Sequence, residues 1–186
     1  MNEVTSVVPA PASNYKARFT AAEFLQMCDV GAFGDWKVEL IDGELERMQE
    51  PMNNHAMRQA QIVVRLAACV GEELVRGEIG IVLDAGTAVA CDAAVLKRSV
   101  TENRRLTAAD VALVVEIAES TADRDLGMKR RKYAQAGVPA YWVVDGPRSI
   151  VHAHAVPVGG QYTDVHTVRF GEPLAVPGTD ATITLS

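Results

Sequence analysis

A run of apolar residues with a carboxylate inside it constrains this chain more than any other feature. The segment VALVVEIA, residues 111–118, is apolar except for Glu116. A nearly continuous apolar run of this length is typical of a strand that is covered on both faces of a sheet. An ionised carboxylate in such a strand is costly unless a cation or a metal compensates its charge. Glu116 therefore indicates a functional site on a buried strand.

Three stretches carry the sequence signals of helices. Thr20 and Glu23 have the spacing of a capping box, so a short helix should follow Thr20. Apolar periodicity indicates the second helix and composition the third, and each is followed by a glycine that can end it. The predicted helices reach from Thr20 to about residue 28, from 55 to 76 and from 123 to 135.

Strand signals fill much of the remaining chain. Asp42-Gly43, between two apolar-patterned runs, is a strong hairpin signal. Further strands are predicted at 79–84, 86–90, 92–97, 111–118 and 140–145 and in a β-rich C-terminal third, with a polar loop at 98–108. This order predicts an α/β fold with a mixed sheet flanked by helices and with an N-terminal helix and hairpin. We expect a disordered arm over residues 1–16 and a single domain over residues 17–186.

Composition bounds the class of protein. The chain has 186 residues, of which 48% are hydrophobic and 23% charged, as in ordinary globular proteins. Its three cysteines are odd in number and form no CxxC pair, which predicts reduced thiols and a cytoplasmic location. We expect no signal peptide and no membrane partner, because no apolar run is long enough. The net charge of −6 argues against binding nucleic acid through bulk electrostatics, so any such contact should be local.

Two more carboxylates lie in apolar strand settings and could share a site with Glu116. Asp92 opens a predicted strand, and Glu39 lies in the first strand of the hairpin. Such oxygen ligands suit Mg²⁺ or Mn²⁺. Asp92 could instead cap a turn, and Glu39 could form a cross-strand pair within its hairpin.

The predicted helix after Glu116 supplies a cation. Asp125, Lys129 and Tyr133 are four residues apart, so they should lie on one helix face. If the helix packs back across the strand, Lys129 would meet the acids, where it could orient a water or offset phosphate charge. The alternative is a surface ion pair of Asp125 and Lys129. By themselves, these residues indicate an acidic metal site suited to phosphoryl chemistry.

The ordered series of motifs resembles a known family. ELIDGEL, a long helix opened by His55, VVEIAES, the DxxxK spacing of Asp125 and Lys129 with Tyr133 four residues on, and GVPAYWVVD are similar to the Uma-two family of endonucleases. That family is a branch of the PD-(D/E)xK superfamily, and the resemblance extends from about Phe19 to Tyr162. It implies a restriction-endonuclease-like core and Mg²⁺-dependent or Mn²⁺-dependent hydrolysis of DNA phosphodiesters.

The resemblance also implies roles for single residues. Asp92 stands at the Asp of the PD motif, Glu116 at the (D/E) position, and Lys129 at the lysine that this branch carries on the following helix. Glu39 matches an acidic residue of the hairpin and is an expected further metal ligand. The supporting residues implied are His55, Asp125 and Tyr133, and the expected DNA-backbone contacts are Arg130, Arg131 and Lys132.

The chain departs from the pattern at three positions, one of which, Ala140 in place of the glutamate usual before Tyr-Trp, is peripheral. Cys91 replaces the proline of the PD dipeptide, and Ala118 stands where the superfamily lysine would follow Glu116. All residues expected to touch metal are nevertheless present, which favours an active site. A nuclease-like scaffold that binds nucleic acid or a protein without cutting is the alternative, and RNA or a small phosphoester are alternative substrates. By analogy with nucleases of this fold, we also expect a homodimer.

Overall fold

The computed structural model describes residues 17–186, where a mixed sheet runs between two groups of helices. The predicted disordered arm, residues 1–16, lies outside the described residues. The helices are α1 (Ala21–Asp29), α2 (Asn53–Val70), α3 (Ala122–Arg124) and α4 (Arg130–Gln135). The strands are β1 (Val38–Ile41), β2 (Glu44–Arg47), β3 (Val75–Asp84), β4 (Thr87–Leu96), β5 (Leu106–Thr107), β6 (Val111–Ala118), β7 (Ala140–Asp145), β8 (Ile150–Val158), β9 (Gln161–Arg169), β10 (Leu174–Ala175) and β11 (Thr182–Ile183).

The main sheet has the strand order β2-β1-β4-β6-β7-β8-β9; in addition, β3 pairs with β4, and β5 pairs with β3. At its centre β6 and β7 pair in parallel, which requires a crossover, and α3 and α4 make it. The other neighbours along this path pair antiparallel. The α/β fold with a mixed sheet flanked by helices is therefore confirmed. Within residues 17–186, no helix has both the length and the apolarity needed to cross a membrane.

Strand β6 is buried on both faces, as its apolar run predicts. Leu113, Val115 and Ile117 join a core cluster with residues of α2, whereas Val114 and Ala118 join the cluster that contains Tyr133 of α4. Because side chains alternate along a strand, Glu116 lies on the same face as Val114 and Ala118. The strand thus directs its one carboxylate towards the crossover helices.

Two predicted boundaries were wrong. The long helix ends at Gly71 rather than near Arg76, because Gly71 has φ 95°, which glycine adopts readily. Arg76 instead belongs to β3 and pairs with Ala94. The predicted strands 86–90 and 92–97 are one continuous strand, β4, which forms a long hairpin with β3. Asp92 therefore lies inside a strand and does not open one.

The other local predictions agree with the structure in most respects. The capping box of Thr20 and Glu23 is present at the start of α1, and Cys28, Cys69 and Cys91 are free thiols. The predicted helix over 123–135 is formed by three consecutive segments, α3, a π-helical turn at Asp125–Lys129 and α4. We call these three segments the site helix.

His154 is a buried histidine of β8 packed between tyrosines. Its ring lies 5.8 Å from that of Tyr141 and 5.9 Å from that of Tyr162. Burial is the main cause that lowers the pKa of His154 to about 4, and the charge of Arg130 acts in the same direction. Between about pH 4 and pH 6.5, the folded protein therefore keeps this imidazole neutral, whereas the unfolded chain would protonate it.

We expect this histidine to make the fold less stable as the pH falls below about 6.5, the ordinary histidine pKa. Between pH 7 and pH 5, the free energy of unfolding of the wild type should fall by about 1 kcal/mol more than that of His154→Phe, which keeps an aromatic ring at this place. Urea denaturation at the two pH values measures the difference. Equal losses in both proteins would contradict the assignment.

Candidate active site

Lys129 lies at the centre of a buried group of charges. Its Nζ is 3.0 Å from Oε1 of Glu39 and 3.0 Å from Oε1 of Glu116, and it donates to the carbonyl oxygen of Ala90 at 3.2 Å. Only 3% of Lys129 is exposed, and Asp125 is also buried. The site helix thus packs back across β6, and the alternative of a surface pair of Asp125 and Lys129 is excluded.

Glu116 accepts two hydrogen bonds through one oxygen. Its Oε1 accepts from the hydroxyl of Tyr133 at 2.8 Å as well as from Lys129. Burial raises the pKa of Glu116 to about 8, the Lys129 ammonium acts against this, and the carboxylate of Asp92 adds to it. The second oxygen, Oε2, accepts no hydrogen bond from residues 17–186.

Glu39 is fully buried, and both of its oxygens are engaged. Oε1 accepts from the backbone N–H of Ala90 at 3.0 Å, in addition to its contact with Lys129, and Oε2 accepts from Arg124 at 2.5 Å. Arg124 also lies 3.0 Å from Glu46, which is the cross-strand partner of Glu39 in the hairpin. Arg124 therefore compensates two like charges that the hairpin register places side by side.

Asp92 occupies the point where β4 and β6 separate. The paired register of the two strands ends at Ala93 opposite Val115, and two residues beyond Val115 the N–H of Ile117 donates to Oδ2 of Asp92 at 2.6 Å. Nε2 of His55 donates to Oδ1 at 2.9 Å. The side chain of Asp92 is 15% exposed, so this carboxylate lies at the surface end of the site. It bridges two elements and caps no turn.

His55 comes from α2 and meets the site from the other side of the sheet. The hydrogen bond to Asp92 raises the pKa of His55, whereas burial opposes this shift. The pair therefore favours an imidazolium beside a carboxylate. Gln59, one helical turn on, donates to the backbone carbonyl of Asp92 at 2.8 Å. Both contacts fix the position of the Asp92 carboxylate.

Asp125 holds the start of the site helix. Its Oδ2 accepts from the hydroxyl of Thr121 at 2.6 Å, and its backbone carbonyl accepts from the hydroxyl of Tyr141 at 3.1 Å. Burial raises the pKa of Asp125. These contacts tie the π-helical turn to the sheet.

The three basic residues expected to contact DNA differ in their surroundings. Arg131 is exposed, whereas Arg130 and Lys132 are half-buried. Lys132 forms an ion pair with Asp42 in the turn of the β1–β2 hairpin. Arg131 is thus the most accessible of the three.

Comparison with known proteins identifies the family. The Uma2 family, described as "Putative restriction endonuclease", matches residues 21–186. The chain belongs to the Uma2 family.

A crystal structure from Anabaena variabilis ATCC 29413, described as a "putative nuclease belonging to DUF820", has a TM-score of 0.60 and 17% identity, covering 75% of this chain and 81% of that one. This likeness shows a shared fold. No protein with curated annotation matches the chain. Membership of the Uma2 family supports a nuclease-like, hydrolytic function on nucleic acid.

The site of this Uma2 protein includes residues that the sequence did not single out. Arg124 lies five residues before Lys129. In an α-helix, this spacing would place the two side chains on different faces. The intervening π-helical turn has i→i+5 hydrogen bonding, and both cations reach Glu39 across it. Gln59 and the backbone N–H of Ile117 were also missed. Backbone donors carry no sequence signal, and Gln59 is one polar residue among several on α2.

The donor chemistry of the Uma2 site fits a hard divalent ion. Residues 17–186 contain no group of three or more His, Cys, Asp or Glu side chains that could hold a metal ion. Mg²⁺ commonly takes one or two protein carboxylates and completes its shell with waters and phosphate oxygens. Asp92 and Glu116, on neighbouring strands, supply such a pair. Both oxygens of Glu39 and both oxygens of Asp92 already contact donors of the described chain. Glu39 stays the expected further ligand.

We expect Lys129→Met to destabilise the fold strongly, because it leaves Glu39 and Glu116 buried with less compensation. The loss should be about 3–5 kcal/mol in the free energy of unfolding, as for other broken buried pairs. The double variant Lys129→Met with Glu39→Gln should recover part of the lost free energy of unfolding. Chemical denaturation measures both, with the exposed Lys97→Met as control. A loss no larger than that of Lys97→Met would contradict the central place of Lys129.

Proposed function

We propose that the protein is a metal-dependent endonuclease that hydrolyses DNA phosphodiester bonds. One observation carries the proposal beyond family membership. A buried lysine is held between two glutamates, next to a partly exposed aspartate that hydrogen bonds fix in place. A structural core has little use for this arrangement, because buried charges are costly and apolar residues would fill the space as well. Hydrolysis of a phosphodiester needs both fixed carboxylates and a fixed cation.

Asp92 and Glu116 would hold Mg²⁺ or Mn²⁺. Such an ion, when bound, supplies Lewis acidity towards the scissile phosphate and lowers the pKa of a bound water. The chain itself fixes both carboxylates. Ile117 N–H and His55 orient Asp92, whereas Tyr133 and Lys129 orient Glu116.

Lys129 would act as a fixed positive charge and not as a general base. Burial disfavours its ammonium, but the charges of Glu116 and Glu39 outweigh burial and raise the pKa of Lys129. At neutral pH the amine therefore keeps its proton. Its role is to stabilise negative charge that grows on the phosphate, or to position the attacking water.

The side chain of Arg124 extends from the buried site to the protein surface. Its side chain is 30% exposed, although its terminal nitrogen reaches the buried Glu39. Nε of Arg124 is buried and has no hydrogen-bond partner among residues 17–186. We propose that the exposed part of this guanidinium, and not its buried Nε, donates to a phosphate oxygen of the substrate, since guanidinium groups match phosphate geometry. Arg131, with Arg130 and Lys132, would contact the backbone further along.

The second candidate is a nuclease-like scaffold that binds without cutting. The net charge of −6 and the deep burial of Lys129 favour it. Both candidates share the fold, so only the chemistry separates them.

The decisive test is plasmid nicking and linearisation with Mg²⁺ or Mn²⁺. Asp92→Asn keeps the shape of the side chain and removes its charge, so cleavage should fall by roughly 100-fold or more. The matched control is Asp180→Asn, an exposed carboxylate outside the site, which should cut like the wild type. Loss of Mn²⁺ binding by Asp92→Asn in calorimetry would locate the metal independently of activity.

Three other outcomes would test the site, the activity and the substrate. Unchanged cutting by Asp92→Asn would contradict the assigned site. If the wild type cuts neither duplex, single-stranded nor branched DNA but binds it, the scaffold is the better description. Cutting of RNA alone would keep the chemistry and correct the substrate.

Arg124→Lys tests the phosphate contact. The lysine keeps one positive charge near Glu39 and Glu46 but loses the planar pair of donors. We expect cleavage to fall by roughly tenfold or more, mainly through a raised KM, with little change in the thermal midpoint. Unchanged KM and kcat would argue that Arg124 only compensates its two glutamates.

A further inference from the structure

The β9 strand forms one end of the main sheet, and no other strand of residues 17–186 pairs with its outer edge. Free edges invite pairing with another chain, and proteins commonly protect them with lysine, proline or a short strand. Strand β9 has the sequence QYTDVHTVR over nine residues and contains neither lysine nor proline. Its central residue, Val165, is 53% exposed.

The hydrogen bonds near Arg169 show which backbone groups face outward. Phe170 N–H donates to Ser149 of the neighbouring strand connection at 2.9 Å, whereas Arg169 N–H donates away from β8, to Glu172 at 3.1 Å. Arg169 is therefore a residue whose backbone points outward. Because orientation alternates along a strand, the N–H and C=O groups of Thr167 and Val165 also point away from β8.

The sequence of β9 is complementary to itself about Val165. If two copies pair antiparallel with Val165 opposite Val165, the outward backbone groups of the two Val165 residues can exchange hydrogen bonds, and each Thr163 lies opposite a Thr167. Asp164 then lies opposite His166 at the closer, non-hydrogen-bonded positions. Thr–Thr pairs and pairs of opposite charge are both favourable across strands.

Other registers lose this complementarity. Moving one strand by two residues in either direction keeps the outward groups facing each other, but it places Asp164 opposite Asp164 or His166 opposite His166. Two aspartates directly opposite repel each other, and two facing imidazoles lose the contact between a carboxylate and an imidazole. Within one chain the two side chains already approach to 3.7 Å and both stay largely exposed, so they are free to meet a partner. The charges thus select one register.

We propose that the protein forms a two-fold symmetric dimer through β9, in which the sheets of the two copies become continuous. The interface is isologous, as expected for a dimer of identical subunits. It lies at the β9 end of the sheet, and its argument does not depend on the proposed nuclease activity.

A charge exchange tests the register. Sedimentation velocity of the full chain should show a dimer that dissociates on dilution. His166→Asp places Asp opposite Asp and should weaken the dimer by roughly tenfold or more, and Asp164→His should also weaken it. The double variant Asp164→His with His166→Asp restores the pairing of an aspartate with a histidine and should restore the affinity. Failure of the double variant to recover would overturn the register.

A backbone substitution tests the edge itself. Val165→Pro removes an outward N–H that makes no bond to β8, so the fold should survive while the dimer is lost. Val165→Thr keeps this N–H and is the matched control, with circular dichroism to verify folding. A wild type that stays monomeric at about 100 µM, where even a weak complex would form, would overturn the proposal. A dimer that Val165→Pro does not weaken would also overturn it. Dimerisation only after removal of residues 1–16 would identify that segment as the occupant of the edge and also overturn it.

Discussion

The ammonium of Lys129 determines how the site is assembled. It lies 3.0 Å from carboxylates of β1 and β6, two strands that are far apart in sequence and do not pair with each other, although both pair with β4. Each carboxylate would be costly alone in this interior, and each becomes tolerable because the lysine is there. Packing of the site helix against the sheet therefore depends on the same charges that the chemistry would use, and the site forms only when hairpin, strand and helix are all in place.

The separation of β4 and β6 gives the site its opening. A continuous ladder would have covered the backbone of Ile117, but the carboxylate of Asp92 takes that N–H instead. The gap lies where the two core clusters meet, so α2 can supply His55 while the site helix supplies Lys129. Side chains from both faces of the sheet thus converge at one place, which a closed and fully paired sheet would not allow.

Features that depend on local pattern could be predicted from the sequence, and features that depend on strand separation or helix widening could not. The apolar run around Glu116 and the spacing of Lys129 and Tyr133 identified the buried face correctly, because alternation and helical periodicity are local. Arg124 was not predicted as a site residue because a π-helical turn changes the spacing at which side chains share a helix face. The end of α2 was misjudged because apolar residues continue beyond Gly71, and only the φ of 95° at that glycine separates helix from strand.

The balance of charge in the site bears on how an anionic substrate would bind. Four acidic side chains, those of Glu39, Asp92, Glu116 and Asp125, lie around three basic ones, those of Lys129, Arg124 and His55. A phosphate entering this group meets more acidic than basic side chains, and the carboxylate of Asp92 adds to the effect of burial in raising the pKa of Glu116. Further positive charge at the Asp92–Glu116 pair would reverse the balance. Under the proposed function, affinity for DNA and affinity for a divalent ion should therefore favour each other, although the chain as a whole is acidic.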